Sequence, residues 1–416
     1  MTTVPDPRTF VIVGGGLAAA KAAETLRAEG FSGRVTMIAA ERLLPYARPA
    51  LSKGVLNGTD DESSIFVHTQ DWYADNDIDL RTGVRALAID PETRTVVLSD
   101  DTSLQYDKLL LATGSGPRKL KVPGADLGGV HCLRTRSNAA ALRDALSGGG
   151  KNVVMIGGGW IGLEVAAAAR GYGNEVAVID QGPVPLYAAL GLELGGVFAD
   201  LHTERGVTLM MHRQATEIVG DGGAVTAVRT DSGETVPADV VVVGIGTVPM
   251  QQVAAEAGLT VDNGIVVDAS LRTSDENIYA AGDIARWDNP LLGRSMRVEH
   301  WQNALHQGPA AARSMLGQDV SYDEIPYFYT DQYDLGMEFV GDLAGDVAAK
   351  NYDTVVYRGD LDARKFIAFW TRGGRVIAGM NVNIWDVNVD IEALVRSGRV
   401  VDVDRLADTS VPLAEL

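Results

Sequence analysis

The sequence contains little cysteine and little proline, and it lacks both long hydrophobic runs and an excess of basic residues. Its 416 residues include 15 prolines and one cysteine, Cys132. A single cysteine excludes a disulfide framework, a cysteine-rich zinc site and a CxxC redox pair within the chain. These features favour a reduced, cytoplasmic protein.

Charge and hydropathy exclude further classes. The net charge is −19, and the acidic residues are spread along the chain. Such a chain lacks the broad cationic face that a nucleic-acid backbone requires. No apolar run approaches the roughly 18 residues that suggest a membrane span. The six histidines are scattered without an HExxH pattern. We therefore expect no nucleic-acid partner, no membrane span and no metal site.

An apolar strand pattern, a glycine loop and a helical pattern occur twice in this order. The first copy covers residues 9–20 and the second covers residues 152–164. A second strand pattern follows each copy, at residues 34–38 and 175–179. Strands that alternate with helices predict parallel sheets covered on both faces. From about Pro326 alternating strand patterns predict a third, α+β domain with antiparallel pairing.

The first loop is typical of a dinucleotide site. Gly14 and Gly16 allow a tight turn and close approach of the backbone to a pyrophosphate, and Ala19 allows the helix to pack on the strand. Glu41 follows at about the 20-residue spacing of the acid that binds a ribose hydroxyl. The alternative is a glycine turn with a purely structural role.

The second loop carries the full glycine fingerprint, at Gly157, Gly159 and Gly162. Asp180 ends the following strand pattern, again about 20 residues on. A carboxylate there binds a free 2′-hydroxyl and repels a 2′-phosphate, which predicts NADH over NADPH. The alternative is that Asp180 only caps the strand. Two such folds in one chain suggest one bound flavin dinucleotide and one exchanging nicotinamide.

Further segments resemble a known family. Residues 278–283 resemble the glycine-aspartate signature of glutathione-reductase-like flavoproteins, and residues 110–114 resemble their Ala-Thr-Gly strand. Residues 44–53, 297–304 and 326–333 are similar to segments of the NADH-dependent ferredoxin reductases, of the putidaredoxin reductase and aromatic-ring dioxygenase reductase type. The resemblance runs from about residue 9 to the C-terminus.

The resemblance implies a set of site residues. It places Lys53 beside the flavin, paired with Glu164, and Glu299 close to the nicotinamide; these three are the predicted catalytic residues. A cation there would stabilise the anionic reduced flavin. The alternative is that Lys53 and Glu164 form an ordinary ion pair. The predicted FAD-binding residues are Gly14, Gly16, Ala18, Ala19, Glu41, Arg48, Lys53, Ala86, Thr113, Gly114, Arg134, Gly282, Asp283 and Trp301. The predicted NAD-binding residues are Gly157, Gly159, Ile161, Gly162, Glu164, Asp180, Gly246 and Glu299.

The resulting fold class is α/β, with two Rossmann-like dinucleotide-binding domains and a C-terminal α+β domain. We expect an FAD-binding domain at residues 1–112 and 243–325, an NAD-binding domain at 113–242 and the C-terminal domain at 326–416.

The resemblance implies an FAD-dependent NADH:ferredoxin oxidoreductase. Hydride would pass from NADH to FAD, and single electrons would pass on to a [2Fe–2S] ferredoxin that serves a monooxygenase or dioxygenase. One alternative is a flavoprotein that reduces a small acceptor, such as a monodehydroascorbate-like radical, a quinone or oxygen. Another is a redox-sensing binding protein similar to apoptosis-inducing factor.

Because the chain and most ferredoxins are both acidic, docking would need a locally basic or apolar patch. Candidate residues for this patch are Arg313, Arg364, Lys365, Arg372 and Tyr329.

Overall fold

A computed structural model describes residues 6–343 and 351–416. Residues 1–5, in the predicted FAD-binding domain, and 344–350, in the predicted C-terminal domain, lie outside the described residues. The described residues form two compact units. The first is drawn from Met1–Arg48, Ser63–Gly116 and Val248–Pro326, and the second from Pro49–Glu62, Pro117–Thr247 and Tyr327–Leu416. The three-domain division stays a prediction.

The strands and helices have the following bounds. The strands are β1 (Thr9–Val13), β2 (Arg34–Ala39), β3 (Ile78–Thr82), β4 (Ala86–Asp90), β5 (Thr95–Leu98), β6 (Ser103–Gln105), β7 (Lys108–Leu111), β8 (Ser115–Pro117), β9 (Val130–His131), β10 (Asn152–Ile156), β11 (Glu175–Ile179), β12 (Val207–Met210), β13 (Ala215–Asp221), β14 (Ala224–Thr230), β15 (Thr235–Pro237), β16 (Val240–Val243), β17 (Thr247–Pro249), β18 (Ile265–Val267), β19 (Ile278–Ala280), β20 (Ala285–Asn289), β21 (Arg294–Arg297), β22 (Tyr327–Gln332), β23 (Leu335–Gly341), β24 (Thr354–Asp360), β25 (Lys365–Arg372) and β26 (Arg375–Val382). The helices are α1 (Leu17–Ala28), α2 (Gly54–Asn57), α3 (Gln70–Asp75), α4 (Arg136–Leu146), α5 (Trp160–Gly171), α6 (Tyr187–Glu204), α7 (Gln252–Glu256), α8 (Trp301–Met315), α9 (Asn388–Ser397) and α10 (Val403–Ala407).

The first unit is built on a parallel sheet with the strand order β19–β7–β1–β2–β3. Strand β1 lies in the middle, and its residues Phe10, Val11 and Ile12 are fully buried. Continuous apolar runs of this kind are typical of strands that are covered on both faces. Helices α1 and α8 pack closely against each other, because Gly308 lets α8 approach the backbone of Ala18.

The second unit contains a parallel sheet, β12–β11–β10–β16–β9, and an antiparallel sheet, β22–β23–β26–β25–β24. In the parallel sheet, β10 pairs with β11 from Asn152↔Glu175 to Ile156↔Ile179. The antiparallel sheet carries α9 against β26 and β23. The predicted fold class is confirmed: two dinucleotide-binding folds are followed by an α+β region.

Small sheets accompany the large ones, and the sequence patterns did not predict them. The sheets β4–β5–β6 and β13–β14–β15 are antiparallel, whereas in the sheet β18–β20–β21 strand β18 is parallel to β20 and β21 is antiparallel to it. The first four residues of β4 are all apolar, so the sequence lacks a strict alternation of apolar and polar residues there. In the structure a register shift between Ala86 and Ala88 also interrupts the pairing of β4 with β5. Within the described ranges, no helix is long and apolar enough to cross a membrane.

Candidate functional site

The first glycine loop connects β1 to α1 and leaves space for a ligand. A side chain at Gly14 would meet the carbonyl oxygen of Ala112 at 2.4 Å, so only glycine fits there. A Cβ at Gly16 would meet nothing within 4 Å among the described residues. Gly16 is the N-cap of α1 and has no side chain with which to cap the helix. The helix N-terminus can thus receive the pyrophosphate of a dinucleotide such as FAD.

The predicted FAD residues Gly282 and Asp283 follow β19 in the same unit. Gly282 lies next to Ala18, since a Cβ on it would be 3.2 Å from the Ala18 methyl. Its backbone N–H donates to the Gln307 side-chain oxygen at 2.8 Å. Gln307 is fully buried, and its Nε2 has no partner among the described residues. The loop region therefore holds an unused buried donor, which fits a polar cofactor.

Glu41 and Arg48, both predicted to bind FAD, contact each other. Arg48 Nη2 lies 2.8 Å from Glu41 Oε1, and the Tyr46 hydroxyl donates to Glu41 Oε2 at 2.7 Å. Burial disfavours the charge of Arg48, but Tyr46 and Glu41 outweigh this effect and raise its pKa. Each carboxylate oxygen keeps a second lone pair, so Glu41 can still accept from a ribose hydroxyl. Sequence reasoning missed the buried Tyr46.

Glu299 is held in place by two neighbours in the first unit. Its Oε1 accepts from the Ser115 hydroxyl at 3.0 Å and forms an ion pair with Arg297. The same guanidinium donates to the backbone carbonyl of Asp283 at 2.9 Å. Arg297 thus connects a predicted nicotinamide residue to a predicted FAD residue. Arg297 begins the segment 297–304 that is similar to the ferredoxin reductases, whereas nothing in the sequence indicated a role for Ser115.

The other predicted residues of the first unit are placed as follows. Trp301 begins α8 and is 39% exposed. Thr113 donates through its hydroxyl to the carbonyl of Met250 at 3.0 Å, and Gly114 accepts from the Met250 N–H. Ala86 begins β4, in a different sheet from the one that carries the glycine loop.

The second glycine loop lies between β10 and α5 in the second unit. A Cβ at Gly162 would be 2.3 Å from the carbonyl oxygen of Gly157, so the close helix–strand packing requires glycine. A Cβ at Gly159 would meet nothing within 4 Å of the described residues, and the same is true of Gly246. Ile161, in the first turn of α5, is 46% exposed. This loop also fits a dinucleotide pyrophosphate.

Asp180 contacts the second glycine loop through its side chain. Its Oδ2 accepts from the N–H of Gly158 at 2.7 Å, and its Oδ1 accepts from the N–H of Gly182 at 2.7 Å. The two backbone bonds fix the carboxylate at the end of β11. Each oxygen keeps a lone pair for a further donor, such as a ribose hydroxyl.

Lys53 and Glu164 meet in the second unit. Lys53 Nζ lies 2.5 Å from Glu164 Oε1, and Glu164 is only 6% exposed. Two hydroxyl groups also donate to this carboxylate: Ser52 to Oε2 at 2.5 Å and Thr330 to Oε1 at 2.6 Å. Lys53 Nζ also lies 5.2 Å from the centre of the Tyr329 ring. Ser52 and Thr330 lie within the segments 44–53 and 326–333 that are similar to the ferredoxin reductases, but the sequence analysis assigned them no role.

The predicted residues thus divide between the units. Lys53 and Arg134, predicted to bind FAD, belong to the second unit, and Glu299, predicted to bind NAD, belongs to the first. Arg134 lies between β9 and α4.

Comparisons with known proteins match two family models along the chain. Residues 8–308 match the family model described as pyridine nucleotide-disulphide oxidoreductase, and residues 327–416 match the model described as reductase C-terminal. The ferredoxin–NAD(+) reductase component of the anthranilate 1,2-dioxygenase system of Burkholderia cepacia is 45% identical over 410 residues, which cover 98% of each chain.

Two solved structures have the same fold. The ferredoxin reductase for the CYP199A2 system of Rhodopseudomonas palustris superposes with a TM-score of 0.92 at 37% identity, covering 98% of both chains. A covalent complex of putidaredoxin reductase with putidaredoxin gives a TM-score of 0.92 at 35% identity, covering 98% of this chain and 97% of the other.

Proposed function

The chain belongs to the pyridine nucleotide-disulphide oxidoreductase family, and we propose that it carries electrons from NADH through FAD to a [2Fe–2S] ferredoxin. It is an oxidoreductase that uses FAD and a nicotinamide cofactor. Helix α5 carries the proposal, because it begins at the second glycine loop and also holds Glu164 against Lys53. One helix therefore joins the predicted nicotinamide site to the predicted flavin-side cation.

Some residues of the site would bind the two dinucleotides, and others would orient the charged side chains beside them. The uncapped N-termini of α1 and α5 bind the two pyrophosphates, and Asp180 accepts from the 2′-hydroxyl of the nicotinamide nucleotide. Lys53 keeps a positive charge in place, since the buried carboxylate of Glu164 fixes its ammonium. Arg297 and Ser115 orient Glu299 in the first unit. Bound FAD supplies the redox chemistry, because it accepts a hydride and releases electrons singly.

The sequence and the relatives support an iron–sulfur protein as the acceptor rather than a disulfide. Cys132 is the only cysteine of the chain, and burial raises the pKa of its thiol. A disulfide reductase needs a reactive thiolate, usually with a second cysteine. The relatives named above are reductase components of a dioxygenase system and of a CYP199A2 system. The electrons therefore serve a monooxygenase or dioxygenase, and the protein works in the reducing cytoplasm.

A titration of the NADH-reduced holoprotein tests the proposal. Candidate [2Fe–2S] ferredoxins are added anaerobically, and their reduction is followed at the iron–sulfur absorbance. We expect at least one ferredoxin from the same cell to be reduced much faster than oxygen. If oxygen or a quinone is the faster acceptor, the enzyme reduces small molecules instead. Slow turnover with a long-lived charge-transfer complex would indicate a redox-sensing role.

A further inference from the structure

A buried chain of polar side chains lies behind Glu164 in the second unit. His202 Nε2 is 2.8 Å from Gln332 Oε1, Gln332 Nε2 is 3.2 Å from Thr330 Oγ1, and Thr330 Oγ1 is 2.6 Å from Glu164 Oε1. His202 and Thr330 are 0% exposed and Gln332 is 1% exposed. These hydrogen-bonded side chains connect helix α6 to helix α5 through strand β22. Thr330 and Gln332 are two positions apart on β22, so they lie on the same face of the strand.

Chemistry fixes the direction of every bond in this chain. An ionised carboxylate only accepts, so the single hydroxyl proton of Thr330 points at Glu164. Thr330 Oγ1 must then accept from Gln332, which orients the amide with its nitrogen towards Thr330. Gln332 Oε1 is left to accept, so the proton of His202 lies on Nε2. The opposite orientation of the amide would require a second hydroxyl proton on Thr330.

The surroundings of His202 agree with this assignment. Its Nδ1 is buried and has no partner among the described residues. Burial lowers the pKa of His202, which favours the neutral ring with a single N–H. The Tyr333 ring packs against the imidazole at a centroid distance of 5.2 Å.

We propose that Thr330, Gln332 and His202 are positioning residues, which fix the Glu164 carboxylate and through it the ammonium group of Lys53. This inference rests on the proposed function, in which Lys53 lies beside the flavin. Strand β22 contacts both partners of the pair, since Thr330 donates to Glu164 and the Tyr329 ring lies under Lys53 Nζ. The C-terminal region therefore controls the position of the cation.

The main test uses Thr330→Val, which removes the hydroxyl while keeping the shape. In the holoprotein, we expect the rate constant for flavin reduction at saturating NADH to fall about tenfold, with the NADH dissociation constant within about twofold of wild type. The two-electron midpoint potential should become more negative by about 30 mV, which corresponds to tenfold in the equilibrium constant. Thr330→Ser keeps the donor and should restore both values.

A matched control separates positioning from packing. Thr371 is also buried, on β25 of the same sheet, and its hydroxyl contacts the carbonyl of Thr354 rather than Glu164. Thr371→Val should lower the unfolding temperature without shifting the potential. The inference is wrong if Thr330→Val changes the midpoint potential and the rate constant of flavin reduction no more than Thr371→Val does. The buried hydrogen bonds would then only support packing.

A second variant tests whether Thr330 and Gln332 act on Glu164 in series, through one row of hydrogen bonds. Gln332→Leu should produce a smaller loss than Thr330→Val, because the Thr330 hydroxyl still reaches Glu164. Since Thr330→Val already cuts the link, adding Gln332→Leu should leave the potential of the single variant unchanged. Losses that add fully would contradict a serial chain.

The donor and acceptor assigned to each of these hydrogen bonds can be tested without the flavin. Nitrogen-15 NMR of histidine-labelled protein, with His202 assigned by its loss in His202→Asn, should show a proton on Nε2 and none on Nδ1. Gln332→Leu should remove this preference. A proton on Nδ1 in the wild-type protein would overturn the proposed chain. If NADH does not reduce the flavin of the wild type while the tautomer is as expected, the proposed function fails and the hydrogen-bond chain stands.

Discussion

The Asp180 carboxylate holds the backbone of the second glycine loop, and we propose that it also binds the ribose of the nicotinamide nucleotide. Its two oxygens accept from the N–H groups of Gly158 and Gly182, so the side chain is fixed before any nucleotide binds. Fixing a group in its binding orientation lowers the entropic cost of recognition. In the proposed NADH site, the same carboxylate would place a negative charge where the 2′-phosphate of NADPH would lie.

We expect Asp180→Ala combined with Gln181→Arg to lower the preference for NADH. The ratio of kcat/KM for NADH to that for NADPH should fall by about tenfold or more, because a hydroxyl acceptor is lost and a phosphate partner is gained. Steady-state kinetics with both nucleotides measure this ratio. Gln181→Arg alone is the control and should give a smaller change. Equal use of both nucleotides by the wild type would show that Asp180 has only a structural role.

Asp283 should contribute to the retention of FAD. Its backbone carbonyl accepts from Arg297, which holds the main chain in place directly after Gly282. In Asp283→Ala the hydroxyl groups of the ribityl chain would lose a charged acceptor worth about 1.5–3 kcal/mol. The dissociation constant of FAD should rise by about ten- to a hundredfold, as measured by fluorescence during reconstitution. Asp288→Ala, an exposed position in the same unit, should leave this constant unchanged.

At the level of elements, helices α1 and α8 pack closely because the residues at their contact, Ala18 and Gly308, are small. A Cβ at Gly308 would lie 2.3 Å from the carbonyl oxygen of Ala18, a backbone atom that cannot rotate away. We expect Gly308→Ala to destabilise the protein by about 1–3 kcal/mol, because the helices would be forced apart. Denaturant unfolding of the holoprotein measures this loss.

A glycine in an open position provides the matched control. Gly196 lies inside α6. A Cβ added to it would have no heavy atom of the described residues within 4 Å. Gly196→Ala should stabilise the protein by about 0.5–1 kcal/mol, since alanine loses less backbone entropy in a helix. If both variants lose the same stability, the close contact between α1 and α8 is not the cause.

The same scale shows which parts of the structure could be predicted from the sequence. Strands such as β1 and β10 are continuous apolar runs ending in glycine loops, because parallel strands are buried on both faces. Strand β11 was predicted with the bounds it has in the structure. The sheet β4–β5–β6 was not predicted, since its strands are short and β4 contains a register shift.

The candidate site divides in the same way. Lys53 and Glu164 could be named from family motifs, whereas their hydroxyl partners could not. Thr330 is 166 positions from Glu164 in the sequence, and a threonine in a strand does not indicate which carboxylate it will contact. His202 has no pattern around it at all. Contacts of this kind depend on how α5, α6 and β22 pack, which local spacing does not contain.

For the whole molecule, the net charge of −19 opposes approach of an acidic ferredoxin. Two cations of the predicted docking patch are already neutralised: Arg313 lies 2.8 Å from Glu29, and Arg364 lies 2.6 Å from Glu204. Lys365 and Arg372 are the other basic candidates. The patch stays a prediction, but its local charge is smaller than the four basic residues alone suggest.

We therefore expect long-range repulsion to control the encounter with an acidic ferredoxin. Raising the ionic strength from about 0.01 M to 0.1 M shortens the Debye length from about 30 Å to about 10 Å, which screens this repulsion. The kcat/KM for ferredoxin reduction should rise severalfold, while reduction of a small neutral quinone should stay nearly unchanged. A fall in kcat/KM with salt would instead show that a basic patch attracts the partner. Lys365→Glu would then locate the patch, because reversing a charge within it should remove most of the salt dependence, whereas a cation outside it should have little effect.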